Sequence, residues 1–250
     1  MNDIEIKKKL VDDWFNYLQL EICKNFQDIE KKLSNKKIKF SKRSWNKADI
    51  RLGGGTAYLL KDGNVFEKVG INKSTVSGYF SKKFRSKILG VDKKGRYWAS
   101  GVSVVAHMKN PKIPALHFNT RFIVTTKEWF GGGIDATPCM KDKQEEKLIH
   151  KKLKELCQNN KKDYIKYKNW CDNYFYLPHR KEPRGIGGIF FDYETKNWEN
   201  NFKFIREVGL TFIDIAQMDY ICCKCGYNLL PGAPKIEYKS AVITQYNKTW

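Results

Sequence analysis

The sequence has no apolar run as long as the roughly 18 residues that a membrane-spanning helix needs. Its first ten residues, MNDIEIKKKL, also lack the apolar segment of a secretory signal peptide. The seven cysteines are odd in number and scattered, which does not fit the disulfide framework of a small secreted protein. We therefore expect a cytoplasmic protein with no membrane span.

Motifs for phosphate, nucleotide and metal chemistry are missing as well. There is no P-loop, no dinucleotide-binding fingerprint followed by an acidic residue, no G-x-S-x-G elbow and no H-E-x-x-H helix. Gly53-Gly54-Gly55 precedes neither a Gly-Lys-Ser/Thr ending nor a helical pattern, so a turn is favoured over a phosphate site. Cys222 and Cys225 form only half of a zinc knuckle. No organic cofactor is therefore expected.

Positive charge, by contrast, is abundant, with a formal net charge of +20 at pH 7. A charge of this size is typical of nucleic-acid surfaces and of proteins that bind polyanions. The lysines are spread along almost the entire chain, however, which favours a solvated lysine-rich surface. Because 14% of the residues are aromatic, composition alone leaves nucleic-acid binding open as an alternative.

The spacing of apolar residues predicts both helices and strands. Apolar residues recur at helical spacing in residues 3–33, 142–160 and 198–212, which predicts three amphipathic helices. Residues 102–106 and 118–124 instead repeat with period two, which predicts two strands. Nothing in the sequence marks a linker that would divide the chain into separate domains.

The segment of residues 99–138, between the first and second of these predicted helices, sets ionisable side chains among apolar strand positions. It carries His107, His117, Arg121 and Asp135, together with a Gly131-Gly132-Gly133 run that we interpret as a turn. Such placement costs free energy unless the groups are paired or used. Arginine can bind a carboxylate, aspartate can accept hydrogen bonds from N–H groups, and histidine can move protons. The pattern favours a site for a multiply carboxylated substrate.

The same residues also fit purely structural roles. Arg121 fits an ion pair at a strand edge, Asp135 fits a helix N-cap, and His117 fits a hydrogen-bonded core histidine. His150, on the predicted helix of residues 142–160, is by itself more typical of a structural or surface histidine. Arg184 precedes a glycine-rich stretch and could offer a carboxylate its planar fork. The residues alone leave both interpretations open.

Three long stretches resemble, in order, the oxygen-dependent coproporphyrinogen III oxidase family. They are GGGTAYLLKDGNVFEKVGINKSTVSGYF, WASGVSVVAHMKNPKIPALHFNTRFIVTTKEWFGGGIDATP and WCDNYFYLPHRKEPRGIGGIFFDY, within a resemblance that covers roughly residues 10–213. The resemblance implies an α+β fold, with a large antiparallel β-sheet flanked on both faces by α-helices, and a homodimer. It also implies a reaction.

That reaction is the oxidative decarboxylation of two propionate side chains of coproporphyrinogen III to vinyl groups, which gives protoporphyrinogen IX in haem synthesis. Dioxygen is the co-substrate, carbon dioxide and hydrogen peroxide are the other products, and no organic cofactor takes part. The high positive charge is then explained by attraction of a substrate with four carboxylates, and no nucleic-acid partner is expected.

The family resemblance also assigns roles to individual residues. His117 matches a proposed proton donor, and Asp135 matches an aspartate suggested to hold the pyrrole N–H groups. The residues that match substrate-binding or other site positions are Ser103, Asn119, Thr120, Arg121 and Arg184. The four histidines match ligands described in some members for a divalent metal, and they are His107, His117, His150 and His179. An all-histidine site suits zinc or copper better than manganese, and the family is also described as metal-independent.

The sequence departs from the family after about residue 215. An arginine-rich helix, a segment resembling RGRYVEFNLVYDRGTxFGL and a Gly-Gly-Arg substrate contact do not follow; a cysteine-rich stretch stands there instead, as a frameshift would produce. We predict an incomplete oxidase-like domain in residues 1–215, with its C-terminal strands missing, and a divergent tail in residues 216–250. The alternative is a catalytically inactive family member that binds porphyrinogen or other polyanions.

Overall fold

A computed structural model describes residues 2–33, 38–140 and 142–218 of the chain. The helices are α1 (Asp3–Leu33), α2 (Lys82–Arg85), α3 (Lys143–Asn159), α4 (Tyr164–Tyr174) and α5 (Trp198–Ala216). The strands are β1 (Ser41–Asn46), β2 (Gly53–Lys61), β3 (Phe66–Tyr79), β4 (Arg96–Met108), β5 (Ala115–Val124), β6 (Glu128–Thr137), β7 (Tyr176–Leu177), β8 (Glu182–Pro183) and β9 (Gly187–Glu194). The three helices and two strands predicted from apolar spacing are confirmed.

Seven of these strands form one antiparallel sheet in the order β1-β2-β3-β4-β5-β6-β9. The first six strands follow one another along the chain, and the connection from β3 to β4 contains α2. Strand β9 pairs with β6 only after the chain has passed through α3 and α4. Strands β7 and β8 form a separate two-stranded ribbon. The architecture confirms the predicted α+β class with a large antiparallel sheet.

One face of the sheet forms the hydrophobic core beneath α1 and α5. Buried side chains alternate with more exposed ones along β4 and β5, as the period of a pleated strand requires. Phe212 of α5 links the layers, because its ring stacks on Phe118 of β5 at 4.8 Å and lies 6.1 Å from Phe26 of α1. Burying a phenylalanine side chain contributes ~1.5–3 kcal/mol, so these rings account for much of the cohesion.

Helix α1 contributes the longest apolar stripe of the core. Its fully buried positions recur at helical spacing and are Val11, Phe15, Leu18, Ile22 and Phe26. Asp3 and Glu5 in the first turn, and two lysines in the last turn, complement the helix dipole. Gly209 lets α5 approach closely, since a Cβ at that position would lie 2.7 Å from Leu18 Cδ2.

The second face of the sheet is covered unequally. Trp170 and Tyr174 of α4 pack on Phe190 of β9, with ring centroids 5.6 and 4.2 Å apart, so helices contact both faces. Over β4, by contrast, Ser103 is exposed and Val105 is 45% exposed among the described residues. We refer to this second face, on the side of Ser103, Val105 and Phe190, as the open face.

Both glycine runs that were predicted to form turns lie within strands instead. Gly53-Gly54-Gly55 begins β2, and Gly131-Gly132-Gly133 occupies the middle of β6, opposite residues 119–121 of β5. The turn predictions are therefore wrong. Glycine is tolerated in a strand where another chain segment approaches too closely for a side chain, and this is the case at Gly131.

Two further predictions concern a membrane span and the C-terminal tail. Among the residues described, no helix is both long enough and apolar enough to cross a membrane. Cys222 and Cys225, which form only half of a zinc knuckle, lie outside the described residues, as does the predicted divergent tail of residues 216–250 from residue 219 onward. The division at about residue 215 stays a prediction.

Two leucines on α1 test the assignment of the core. Leu18 is fully buried against α5, whereas Leu20 is 54% exposed. We expect Leu18→Ala to lower the free energy of unfolding by ~2–5 kcal/mol, because it leaves a cavity between the two helices. The matched variant Leu20→Ala should change it by less than about 0.5 kcal/mol. Urea denaturation checks both values, and equal losses would contradict the packing described.

Candidate active site

Three neighbouring strands bring polar side chains together on the open face. In the sheet register, Val105 of β4 lies opposite His117 of β5, which in turn lies opposite Asp135 of β6. One row along, Ser103 lies opposite Asn119. Since directly opposed residues share a face, the sheet itself places His117 next to Asp135.

The Asp135 carboxylate joins two partners from distant parts of the chain. Its Oδ2 atom lies 3.2 Å from His117 Nδ1 and accepts a hydrogen bond of 2.8 Å from Arg184 Nη2. Asp135 is only 5% exposed, so these partners offset the cost of burying its charge. Because a carboxylate only accepts, the proton of this bond lies on His117 Nδ1, which leaves Nε2 for proton exchange. The helix N-cap interpretation of Asp135 is wrong, since the residue lies in β6.

Arg184 reaches Asp135 because the chain before β9 runs close to β6. Its guanidinium lies over the Phe175 ring, with Cζ 4.0 Å from the ring centroid, and its backbone N–H donates to the Phe175 carbonyl at 3.1 Å. The next residue, Gly185, has φ +63°, and a Cβ there would collide with the Ala136 carbonyl oxygen. Glycine is therefore required at position 185.

Arg121 occupies a second cationic position on the open face. Its Nη2 donates to Asp192 Oδ2 at 2.7 Å, its Nη1 donates to Asn119 Oδ1 at 3.3 Å, and its Cζ lies 5.7 Å from the centroid of the Phe190 ring. A Cβ on Gly131 would collide with Asp192 Oδ1 and lie 3.0 Å from Arg121 Nε. The absence of a side chain at Gly131 thus makes room for the Arg121–Asp192 ion pair.

Asp192 is a site residue that the sequence interpretation missed. It lies two residues after Phe190 in β9, so the strand period turns both side chains to the open face. A single acidic residue after an apolar strand is a weak signal, because it is equally typical of the end of a strand. The alternation with Phe190 was the one sequence feature that could have identified it.

Thr120 does not join the predicted substrate-binding residues. Its side chain is 1% exposed and lies on the core face, because it is the residue between Asn119 and Arg121 in a pleated strand. Its hydroxyl oxygen has no hydrogen-bond partner. The prediction that Thr120 binds substrate beside Asn119 and Arg121 is therefore wrong for its side chain. Ser103, Asn119 and Arg121 do share the open face.

The four histidines do not form a metal centre. The rings of His107 and His117 are 6.1 Å apart, but His150 uses both nitrogens in hydrogen bonds, to the Ile186 carbonyl and to the Tyr164 hydroxyl, each 2.9 Å long. His179 is exposed between β7 and β8. Among the described residues, no group of three or more histidine, cysteine, aspartate or glutamate side chains could hold a metal ion. The predicted four-histidine ligand set therefore does not fit the structure.

The remaining residues form two groups on the open face, one around Asp135 and one around Arg121. Arg121 and Arg184 provide two guanidinium groups for anionic ligands, and His117 provides an imidazole oriented by a buried carboxylate. Six strand positions contribute, and they are Ser103, His117, Asn119, Arg121, Asp135 and Asp192; Arg184 contributes from the loop before β9. The fold and these side chains thus define a class of α+β protein that carries two arginines and a histidine–aspartate pair on one face of an antiparallel sheet.

Comparison with known proteins gives the family. A sequence model of coproporphyrinogen III oxidase matches residues 10–219, and this chain belongs to that family. A protein of Rickettsia akari named oxygen-dependent coproporphyrinogen-III oxidase is 46% identical over 214 residues, covering 83% of this chain and 76% of its own. Proteins of the same name from Rickettsia rickettsii and Rickettsia typhi are 46% and 47% identical, with the same coverage. The match to the family model ends at residue 219, close to the point, at about residue 215, where we predicted that the sequence departs from the family.

Gly131 and Gly70 provide a matched test of the site geometry, since both lie within strands of the sheet. A Cβ at Gly131 would collide with Asp192, whereas one at Gly70 would meet nothing within 4 Å. We expect Gly131→Ala to lower the free energy of unfolding by ~1–3 kcal/mol, because it forces Asp192 and Arg121 apart. Gly70→Ala should be neutral or stabilising by up to about 1 kcal/mol. Urea denaturation would contradict this geometry if Gly131→Ala were as stable as Gly70→Ala.

Proposed function

We propose that this protein catalyses the dioxygen-dependent oxidative decarboxylation of coproporphyrinogen III, converting two propionate side chains to vinyl groups and yielding protoporphyrinogen IX. The observation that carries the proposal is the Asp135 carboxylate shared by His117 and Arg184. This group lies within the range that matches the family, beside a second arginine on the same face. The name of the relatives, which specifies an oxygen-dependent enzyme, supports dioxygen as the co-substrate.

The substrate is a tetracarboxylate, and the site offers cations for it. Arg121 and Arg184 each retain N–H donors beyond those used in their present hydrogen bonds, since a guanidinium has about five. The Arg121 side chain is 31% exposed and the Arg184 side chain 29%, so both can reach a ligand. The net charge of +20 raises the local concentration of such an anion.

The proposed reaction requires proton transfer and a substrate held in one orientation, and His117 and Asp135 can provide these. Each propionate loses carbon dioxide and one hydride equivalent, which is two electrons and one proton. One dioxygen per propionate accepts these together with a second proton from solvent and becomes hydrogen peroxide. Both present bonds to Asp135 use Oδ2, so Oδ1 can accept the pyrrole N–H groups of the macrocycle. We assign His117 Nε2 the proton transfer, because Asp135 fixes the ring through Nδ1.

Three of the predictions made from the sequence are outside this proposal. The homodimer and the cytoplasmic location stay predictions. A divalent metal is not assigned a role, because the histidines predicted to bind it are engaged elsewhere or dispersed. Ser103 and Asn119 are proposed as polar contacts to the substrate, since both lie on the open face near Arg121.

Activity measurements on the purified protein test the proposal. Incubation with coproporphyrinogen III in air should yield protoporphyrinogen IX, and the same incubation without dioxygen should not. We expect Arg121→Ala to lower kcat/KM by roughly 10–100-fold, because a hydrogen bond to a charged group contributes ~1.5–3 kcal/mol. The control Arg180→Ala should keep normal activity, since Arg180 is exposed and pairs with Glu182 outside the site. Products are resolved by chromatography.

Two outcomes would contradict the proposal. A folded wild-type protein that forms no product in air would indicate an inactive family member. Equal product with and without dioxygen would exclude dioxygen as the electron acceptor. Equal losses of kcat/KM in Arg121→Ala and Arg180→Ala would not contradict the proposed reaction, but they would show that Arg121 has no specific role in the site.

A further inference from the structure

We propose that His150 is a positioning residue: it fixes the chain at Ile186 so that Arg184 reaches Asp135, and it does not bind a metal. The proposal rests on the proposed function only for its catalytic consequence. The geometry itself belongs to the contact between α3, α4 and the segment that leads into β9.

The hydrogen bonds of His150 define its tautomer. A backbone carbonyl only accepts, so the 2.9 Å bond to Ile186 O places the ring proton on Nε2. Nδ1 then accepts from the Tyr164 hydroxyl at 2.9 Å. A metal ligand needs a free lone pair on one ring nitrogen. In His150 one nitrogen carries the proton and the other accepts a hydrogen bond, so neither is free.

Burial supports this arrangement. It lowers the pKa of the His150 imidazole, with a smaller contribution in the same direction from Lys168, and it raises the pKa of the Tyr164 hydroxyl. Both groups therefore stay neutral near pH 7. A neutral imidazole and a protonated phenol are the two states that the observed bonds require.

The segment that His150 holds is a turn with one internal hydrogen bond, which the Gly187 N–H donates to the Arg184 carbonyl at 3.3 Å. Gly185 and Gly187 have φ values of +63° and +73°, a region that only glycine enters freely. Ile186 lies between them, and its peptide groups are fixed on two sides. Its N–H donates to the Ala136 carbonyl at 3.1 Å, and its C=O accepts from His150. The segment is thereby fastened to β6 next to Asp135.

Fastening at Ile186 decides where Arg184 can reach. Arg184 lies two residues before Ile186. Its backbone N–H donates to the carbonyl of Phe175, at the end of α4. Loss of the His150 bond would leave the Ile186 carbonyl buried without its partner and free the glycine-flanked peptide to rotate. Arg184 would then spend less time on Asp135, and the carboxylate would lose one of its two partners.

A matched pair of substitutions separates positioning from metal binding. His150→Gln keeps an amide N–H near the position of Nε2, whereas His150→Leu has a similar volume and no donor. We expect His150→Leu to lower kcat/KM by roughly tenfold to hundredfold and His150→Gln to recover most of that loss. His179→Ala, which removes another predicted metal ligand, should retain normal activity because His179 is exposed and is not one of the two hydrogen-bond partners described for Asp135.

Hydrogen exchange gives a readout that does not depend on activity. The Ile186 amide should exchange at least tenfold faster in His150→Leu than in the wild type, and His150→Gln should restore its protection. Tyr164→Phe, a milder change, should give a smaller increase, because it removes only the donor to Nδ1. Exchange measured by mass spectrometry applies to the wild-type protein and variants even if the proposed reaction is not found.

Several results would overturn the proposal. Unchanged Ile186 exchange in His150→Leu would show that the segment does not depend on His150. One equivalent of bound metal in the purified wild type, lost equally in His150→Gln, His150→Leu and His179→Ala, would show that these histidines are ligands. Metal content is measured by elemental analysis after dialysis against a chelator-free buffer.

Discussion

The burial of every second side chain of β4 and β5 beneath α1 and α5 fixes the register of these strands. A slip by one residue would turn Phe118 and Phe122 into solvent and bring Asn119 and Arg121 into the core. The cost of such a slip is several kcal/mol, since each buried phenylalanine contributes ~1.5–3 kcal/mol. The polar side chains of the open face are held in place by this packing on the opposite side.

A second constraint is the buried charge of Asp135. A carboxylate that is 5% exposed is costly unless its oxygens are paired, and the two partners come from a neighbouring strand and from a loop 49 residues away in sequence. The charge therefore ties the chain before β9 to the sheet. It also orients the His117 ring, so one interaction serves both the fold and the proposed proton transfer.

Glycine sets the tightness of the site. Gly131 leaves space for the Arg121–Asp192 pair, and Gly185 allows the segment after Arg184 to pass against the backbone of Ala136. Gly131 belongs to the Gly131-Gly132-Gly133 run, which we predicted to be a turn. The structure places this run in β6 and shows why the prediction is wrong. A strand accepts glycine when a neighbouring side chain occupies the space that a Cβ would need.

The sequence by itself determined the long helices, the alternation of β4 and β5, and the family, because these depend on local periodicity and on matching stretches of sequence. It also identified His117, Asp135, Arg121 and Arg184 as candidates. Only the tertiary structure decided their partners. Asp192 lies 71 residues from Arg121, and Ile186 lies 36 residues from His150. Such pairs depend on how helices and strands pack, and local sequence periodicity does not specify them.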